Sequence, residues 1–259
     1  MTGAARGQGR SHAVRLASEG ADIIAVDACD QLGIELPYPP TKRSDLDETA
    51  DLVRKLGRRA ITCVSDVRDF VSLHGAISAA ADELGTPDVV AVNAGILSFG
   101  LTWELSEAEW HNVIDVNLTG AWHTTKAVIP RMIERGNGGA VILTASVSGL
   151  RWTPFLGHYV ASKHGLIGLM RNLANELAPE GIRVNVICPS AVDTPMANDS
   201  AIEGLLNSRP GWRTSFQNPM SAQKLTVDEI SNALLWLASD EARFVTGVVL
   251  PIDAGLAVT

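Results

Sequence analysis

The chain has 259 residues, 46% of them hydrophobic and 19% charged, with a formal net charge of −8. This size fits one α/β domain with a large core, and the composition is that of an ordinary globular protein. The acidic balance argues against nucleic acid or an anionic membrane surface as partner, since both call for a basic face.

In chain order, a glycine-rich start leads into a helix predicted over Gln8 to Ser18 and a strand over Ala21 to Asp27. A Pro-rich insertion, 29–44, precedes a helix at Leu46 to Leu56. A strand at Arg59 to Val64, a helix at Phe70 to Leu84 and a strand at Asp88 to Asn93 follow. Ser106 with Glu109 forms a capping-box pattern that opens a long helix to Glu134. A strand at Gly139 to Thr144, a helix at Tyr159 to Ala178 and a strand at Ile182 to Cys188 come next. An irregular stretch, 193–226, leads to a helix at Val227 to Ala238 and a last strand at Val248 to Ile252. The strand candidates are β-branched and apolar on both faces, as parallel strands are when helices cover both sides. The alternation predicts a single domain over 1–259, a doubly wound, Rossmann-type parallel sheet in three αβα layers. Stretches as long as 29–44 and 193–226 are usually functional in a compact domain. Cys29, Cys63 and Cys188 form no CxxC pair and read as buried reduced thiols, with no metal site. No segment reads as a signal peptide or a membrane span, which predicts a cytoplasmic protein.

The chain opens Thr2-Gly3-Ala4-Ala5-Arg6-Gly7-Gln8-Gly9. Its glycines allow a tight turn and close backbone approach, and the helix that follows offers free N–H groups to a pyrophosphate. Asp27 ends the next strand, where a carboxylate can bind ribose hydroxyls and repel a 2′-phosphate, so NAD is favoured over NADP. Such a loop ordinarily follows a buried central strand, but here the sequence starts at its threonine. Met1 is not expected to replace that strand. The expectation is therefore a truncated first strand, a natural start roughly six to ten residues upstream, and weakened cofactor binding or stability.

Tyr159 and Lys163 stand at i, i+4, which places them on one helix face. An unperturbed tyrosine titrates near ~10. An adjacent ammonium favours the phenolate and lowers that value, so Tyr159 can exchange a proton with an alcohol or ketone oxygen. Ser146 follows the strand Gly139 to Thr144, and its hydroxyl can polarise the same oxygen. Asn117 lies inside a helix, where Asn is mildly unfavourable; it could hold a water that relays protons from Lys163.

Together the glycine loop, Asn93-Ala94-Gly95, Asn117, Ser146, Tyr159-Val160-Ala161-Ser162-Lys163, and Pro189-Ser190 with Asp193-Thr194-Pro195-Met196 resemble the short-chain dehydrogenases/reductases in order and spacing. The resemblance implies a catalytic tetrad of Asn117, Ser146, Tyr159 and Lys163. It further implies that Gly3, Arg6, Gly7, Gln8, Gly9 and Asp27 bind NAD, with Asp66 and Val67 flanking adenine. Asn93, Ala94 and Gly95 would line the dinucleotide, Tyr159 and Lys163 its nicotinamide ribose, and Val192 and Thr194 its carboxamide. Ser190 departs from the glycine usual after that proline. The insertion after Asp27, with its YPP run, resembles an actinobacterial, carveol-dehydrogenase-like subgroup linked to the redox peptide mycofactocin. That implies NAD held without ready exchange, an external redox partner and a homotetramer built on the helices at Ser106 to Glu134 and Tyr159 to Ala178.

The substrate pocket is expected from Leu97, Phe99, Leu150, Trp152, Phe155, Met196, Trp212 and Phe216, which suits a small apolar secondary alcohol or ketone. No Arg or Lys is plainly aimed at a carboxylate or phosphate there, with Arg151 and Arg213 the two candidates. His158 is a candidate second proton relay, and Trp103, Trp110 and Trp122 suit helix packing or a subunit interface. Two other readings stand beside this one. The first is a 3-oxoacyl thioester reductase using NADPH, which Asp27 opposes. The second is a non-catalytic protein of the same fold with an impaired cofactor site.

Overall fold

The computed structural model describes residues 1–197, 199–221 and 224–259. Its strands are β1 (Ile23–Asp27), β2 (Ala60–Val64), β3 (Val89–Val92), β4 (Gly139–Thr144), β5 (Ile182–Pro189) and β6 (Val249–Ile252). The helices are α1 (Gly7–Ser18), α2 (Arg43–Lys55), α3 (Phe70–Leu84), α4 (Glu107–Ile114), α5 (Gly120–Arg135), α6 (Gly157–Leu177), α7 (Asp199–Ser208) and α8 (Val227–Ala238). All strand pairings are parallel: β1 with β2, and β3, β4, β5 and β6 in that order.

Met1 to Ala4 lie between these two groups and hydrogen-bond to both. The Met1 carbonyl accepts from Val26 N at 2.9 Å, Ala4 N donates to the Val26 carbonyl at 3.1 Å, and Thr2 N donates to the Ala91 carbonyl at 3.1 Å. Thr2 bridges Val26 in parallel register. These contacts amount to one isolated bridge rather than a strand, so Met1 does not replace the first strand, as expected. The segment serves the carboxyl-terminal halves of β1 and β3, where the ladder meets the glycine loop. The two sheets, β2-β1 and β3-β4-β5-β6, thus flank Met1–Ala4.

Residues alternate between two hydrophobic clusters, one on each face of the sheet. Val141 and Leu143 of β4 join the cluster with Leu73, Val128, Met132, Leu166 and Met170, from α3, α5 and α6. Ala140 and Ile142 join the one with Leu16, Leu46, Val53, Ile230 and Leu234, from α1, α2 and α8. This is the period-two geometry of a strand covered on both sides, and it explains why neither face of β4 can be polar. Truncating a fully buried residue such as Leu143 to alanine would cost about 2–5 kcal/mol.

His12 sits between α1 and α8, fully buried, with Nδ1 2.8 Å from the Ser231 hydroxyl. Burial pushes its pKa down to about 3. The capping box of Ser106 and Glu109 starts α4 as expected. The long helix that the periodicity predicts is continuous but not regular: a π-turn, Asp115–Thr119, separates α4 from α5 and carries Asn117. The three cysteines are buried free thiols. Among the described residues, no helix is long and apolar enough to cross a membrane and no group of side chains could hold a metal ion.

Candidate active site

Because all strands run in parallel, their carboxyl ends share one edge, and loops after β1, β2, β3, β4 and β5 meet there. Ligands bind at this edge in sheets of this type. The glycine loop is wound tightly against it. Gly3 and Gly7 have φ of +67° and +55°, and a Cβ on Gly9 would lie 1.9 Å from the Gly3 carbonyl oxygen. Side chains take up the loop's outward carbonyls. Arg10 Nη2 donates to the Ala5 carbonyl at 2.7 Å and the Thr49 hydroxyl to that of Ala4 at 2.9 Å. The loop is therefore preformed, with the start of α1 aimed into a cavity.

That cavity has a volume of about 170 Å³. Gly3, Arg6, Gly7, Gln8, Gly9, Asp27, Asp66, Val67, Asn93, Ala94, Gly95 and Thr194 all line it, so nearly every residue expected at the dinucleotide is brought together. Val192 lines the neighbouring cavity instead. Asp27 is more occupied than expected. Its carboxylate accepts from Ala5 N at 3.0 Å, from Cys29 N at 2.9 Å and from the Thr41 hydroxyl at 2.7 Å. A carboxylate offers about four lone-pair sites, which leaves room for one ribose hydroxyl while these partners stay, not two. The donor set fits a dinucleotide: helix N–H groups for the pyrophosphate and an acid for the ribose.

The insertion folds over the same cavity. Cys29–Leu32 forms one 3-10 turn, entered by Cys29 at φ +52°. Leu32, Leu36, Tyr38, Pro40 and Thr41 line the cavity wall. Four polar latches hold the loop: Arg6 to the Pro39 carbonyl, Arg68 to that of Leu32, Thr41 to Asp27, and Leu97 N to the Tyr38 hydroxyl at 3.2 Å. Arg68 also pairs with Asp66 at 2.6 Å. Sequence reasoning did not find Tyr38 or Thr41; the only signal was the YPP run, and Tyr38 is one of just two tyrosines.

A second cavity, about 470 Å³, adjoins the first, and Gln8, Asn93 and Gly95 line both. Ser146, Tyr159 and Lys163 stand at its inner end. Lys163 is buried, donates to the Thr144 carbonyl at 2.8 Å, and has Nζ 5.3 Å from the Tyr159 ring centre. Burial lowers its pKa to about 8, opposed by Cys188. Burial also pushes the Tyr159 phenol well above its usual value, against the effect of the Ser146 hydroxyl. The expectation of a phenol lowered by Lys163 is not met in the protein alone: desolvation of the phenolate is the largest cause, and the group that opposes it is Ser146.

Asn117 lines neither cavity, and its side-chain amide is bonded within the fold. Its Oδ1 accepts from Ile96 N at 2.8 Å, and its Nδ2 donates to the Ile96 carbonyl at 2.9 Å and the Ser162 hydroxyl at 3.1 Å. It staples the loop after β3 to α6, a role the π-turn makes reachable. His158 is buried, with Nε2 2.8 Å from the Ser98 hydroxyl. Burial lowers its pKa, and Glu109 opposes this. It does not line the second cavity.

Of the aromatic and apolar side chains expected at the substrate, Leu97, Phe99, Met196 and Phe216 line the second cavity. Leu150, Trp152, Phe155 and Trp212 do not. Phe155 adopts φ +64° and packs on Trp212 with ring centres 5.1 Å apart, while Trp152 is exposed. Arg151 and Arg213 reach the cavity but are engaged, Arg151 with the Leu256 carbonyl at 2.7 Å and Arg213 with Glu203 at 2.8 Å. Ser190 lines it with its hydroxyl buried and without a hydrogen-bond partner. Within the expected 193–226 stretch, Asn198, Ala222 and Gln223 lie outside the described residues.

Comparison with known proteins agrees with this geometry. A family model described as enoyl-(acyl carrier protein) reductase matches residues 3–257. An uncharacterized NAD-dependent oxidoreductase of Mycobacterium tuberculosis is 45% identical over 98% of this chain and 94% of its own length. The (−)-trans-carveol dehydrogenase of Rhodococcus erythropolis is 42% identical, over 98% of this chain and 95% of its own. The crystal structure of carveol dehydrogenase from Mycobacterium avium in complex with NAD superposes with a TM-score of 0.93 at 46% identity. It covers 100% of this chain and 96% of that one.

Proposed function

The chain belongs to the short-chain dehydrogenase/reductase family and is an NAD-dependent oxidoreductase, and we propose that it interconverts an apolar, carveol-like secondary alcohol and its ketone. The carrying observation is the second cavity: Ser146 and Tyr159 at its inner end, walls of Leu97, Phe99, Met196 and Phe216, and nearby arginines already paired. Such a cavity orients a hydrophobic molecule through one oxygen atom.

NAD supplies the hydride acceptor for oxidation and, reduced, the donor for reduction. Tyr159 gives a proton to the ketone oxygen or takes one from the alcohol. The Ser146 hydroxyl bonds the same oxygen, which places it against Tyr159 and favours developing negative charge. Lys163, still largely cationic at pH 7 with a pKa of about 8, favours phenolate when Tyr159 has given up its proton. Asn117 acts through others, holding the Ile96 backbone. Gly3, Arg6, Gly7, Gln8 and Gly9 cradle the pyrophosphate, Asp27 the adenosine ribose, and Asp66 and Val67 the adenine. Asn93, Ala94 and Gly95 back the dinucleotide, and Val192 and Thr194 face its carboxamide. The latches on the insertion support slow NAD exchange and reoxidation by an external redox partner. Trp110 and Trp122, 37% and 45% exposed on α4 and α5, support a homotetramer packed through those helices and α6.

The test is turnover followed at the reduced-nicotinamide absorbance with cyclic terpenoid alcohols and NAD, beside 3-oxoacyl thioesters with NADPH. Turnover of the alcohols is expected; faster thioester reduction with NADPH would replace this reading.

A further inference from the structure

We propose that Tyr38, on the cofactor-side insertion, is a positioning residue that fixes the wall of the substrate cavity through the backbone of Leu97. The kinetic arm of its test rests on the dehydrogenase reading; the exchange arm does not.

The wall between the two cavities is the segment from Asn93 to Leu97. Three side chains hold its amides. The Thr2 hydroxyl accepts from Asn93 N and Ala94 N, both at 3.2 Å, Asn117 Oδ1 from Ile96 N at 2.8 Å, and the Tyr38 hydroxyl from Leu97 N at 3.2 Å. Thr2 and Asn117 belong to the body of the fold. Tyr38 reaches the wall from a loop that otherwise contacts the cofactor cavity.

Tyr38 is 7% exposed. Burial raises its pKa to about 12, so the hydroxyl stays neutral. The Arg6 guanidinium lies 6.0 Å from its ring centre and bonds the next residue's carbonyl, so the side chain moves with the latched loop. Leu97 and Phe99 form the apolar wall of the substrate cavity. The same segment runs beside the catalytic lysine: a Cβ on Gly95 would stand 3.5 Å from Lys163 Nζ and 3.3 Å from Asn117 Oδ1. If the insertion lifts, the half-buried Leu97 N loses its acceptor, and the backbone that it held is freed to move. The substrate wall thus keeps its shape only while the insertion is closed over the cofactor cavity.

Tyr38→Phe removes the acceptor and keeps the ring. In that variant, hydrogen–deuterium exchange of peptides covering 93–101 should speed up, while those in α3 stay unchanged. With saturating NAD, KM for an apolar cyclic alcohol should rise about tenfold, the effect of one lost hydrogen bond, with kcat within about twofold. Unchanged exchange at 93–101 in a variant that melts like the wild type would overturn the proposal, whatever the outcome with alcohols. So would a fall in kcat and melting temperature without a KM shift. If no alcohol is turned over by the wild type, the dehydrogenase reading fails alone and the exchange result decides this one.

Discussion

The two cavities are built by different physics. The cofactor side is a polar scaffold in which the turn is held by side chains from α1 and α2, and Asp27 has three donors before any ligand arrives. The substrate side has apolar walls of Leu97, Phe99, Met196 and Phe216, interrupted by polar side chains, with the Ser146 and Tyr159 hydroxyls beside Lys163. Hydrogen bonds discriminate sharply because an unmatched buried polar group is costly, whereas apolar walls discriminate by volume and tolerate variation. The same fold can therefore be strict about its nucleotide and permissive about its alcohol.

The contrast can be broken from either side. The largest effect is expected from Tyr159→Phe, which should lower kcat/KM about 10²–10⁴-fold, the range for losing a positioned acid–base group, and leave NAD titration by fluorescence little changed. Gly9→Ala comes next. Its methyl would collide with the Gly3 carbonyl, so NAD carried through purification should be lost and the melting temperature should fall. Asp27→Ala should shift the NAD-to-NADP preference by at least about tenfold, since one like-charge repulsion of ~1.4 kcal/mol accounts for that factor; kcat/KM with each nucleotide reads it. On the apolar side, Phe216→Ala should change only the ranking of alcohols, by about 10-fold per ring substituent, with NAD affinity unaltered.

The smallest effect is one of stability. The folded chain keeps His12 neutral down to about pH 3, but the unfolded chain protonates it near 6.5. The unfolded state binds the extra proton, so stability is full above about pH 6.5 and is lost as pH falls below it, by ~1.4 kcal/mol per unit at the steepest. Denaturation midpoints at pH 7.5 and 5.5 should differ by roughly 1 kcal/mol from this group, and His12→Gln should flatten that slope.

What the sequence displayed depended on distance along the chain. Tyr159 and Lys163 share a helix face, Ser146 ends a strand, and Asp27 follows the glycine loop, so local periodicity placed them all at one edge. Contacts that join distant segments were hidden. No pattern links Tyr38 to Leu97 or Thr41 to Asp27. Phe155 was misplaced because its left-handed backbone turns the ring onto Trp212 rather than into the cavity. The tie that Met1 and Thr2 make between Val26 and Ala91 was hidden because it is made by the main chain, which composition does not reveal.

The π-turn at Asp115–Thr119 sets how this helix tolerates length changes. Successive helical residues are turned by about 100°, so an added or deleted residue ordinarily rotates everything beyond it out of register. A bulge absorbs such a step locally. Excising Asn117 would let α4 and α5 join as one regular helix, sparing the buried faces of both while removing the staple on Ile96. Replacing Asn117 by alanine would keep the bulge and lose only the amide. The two variants separate the shape of the backbone from the chemistry it carries.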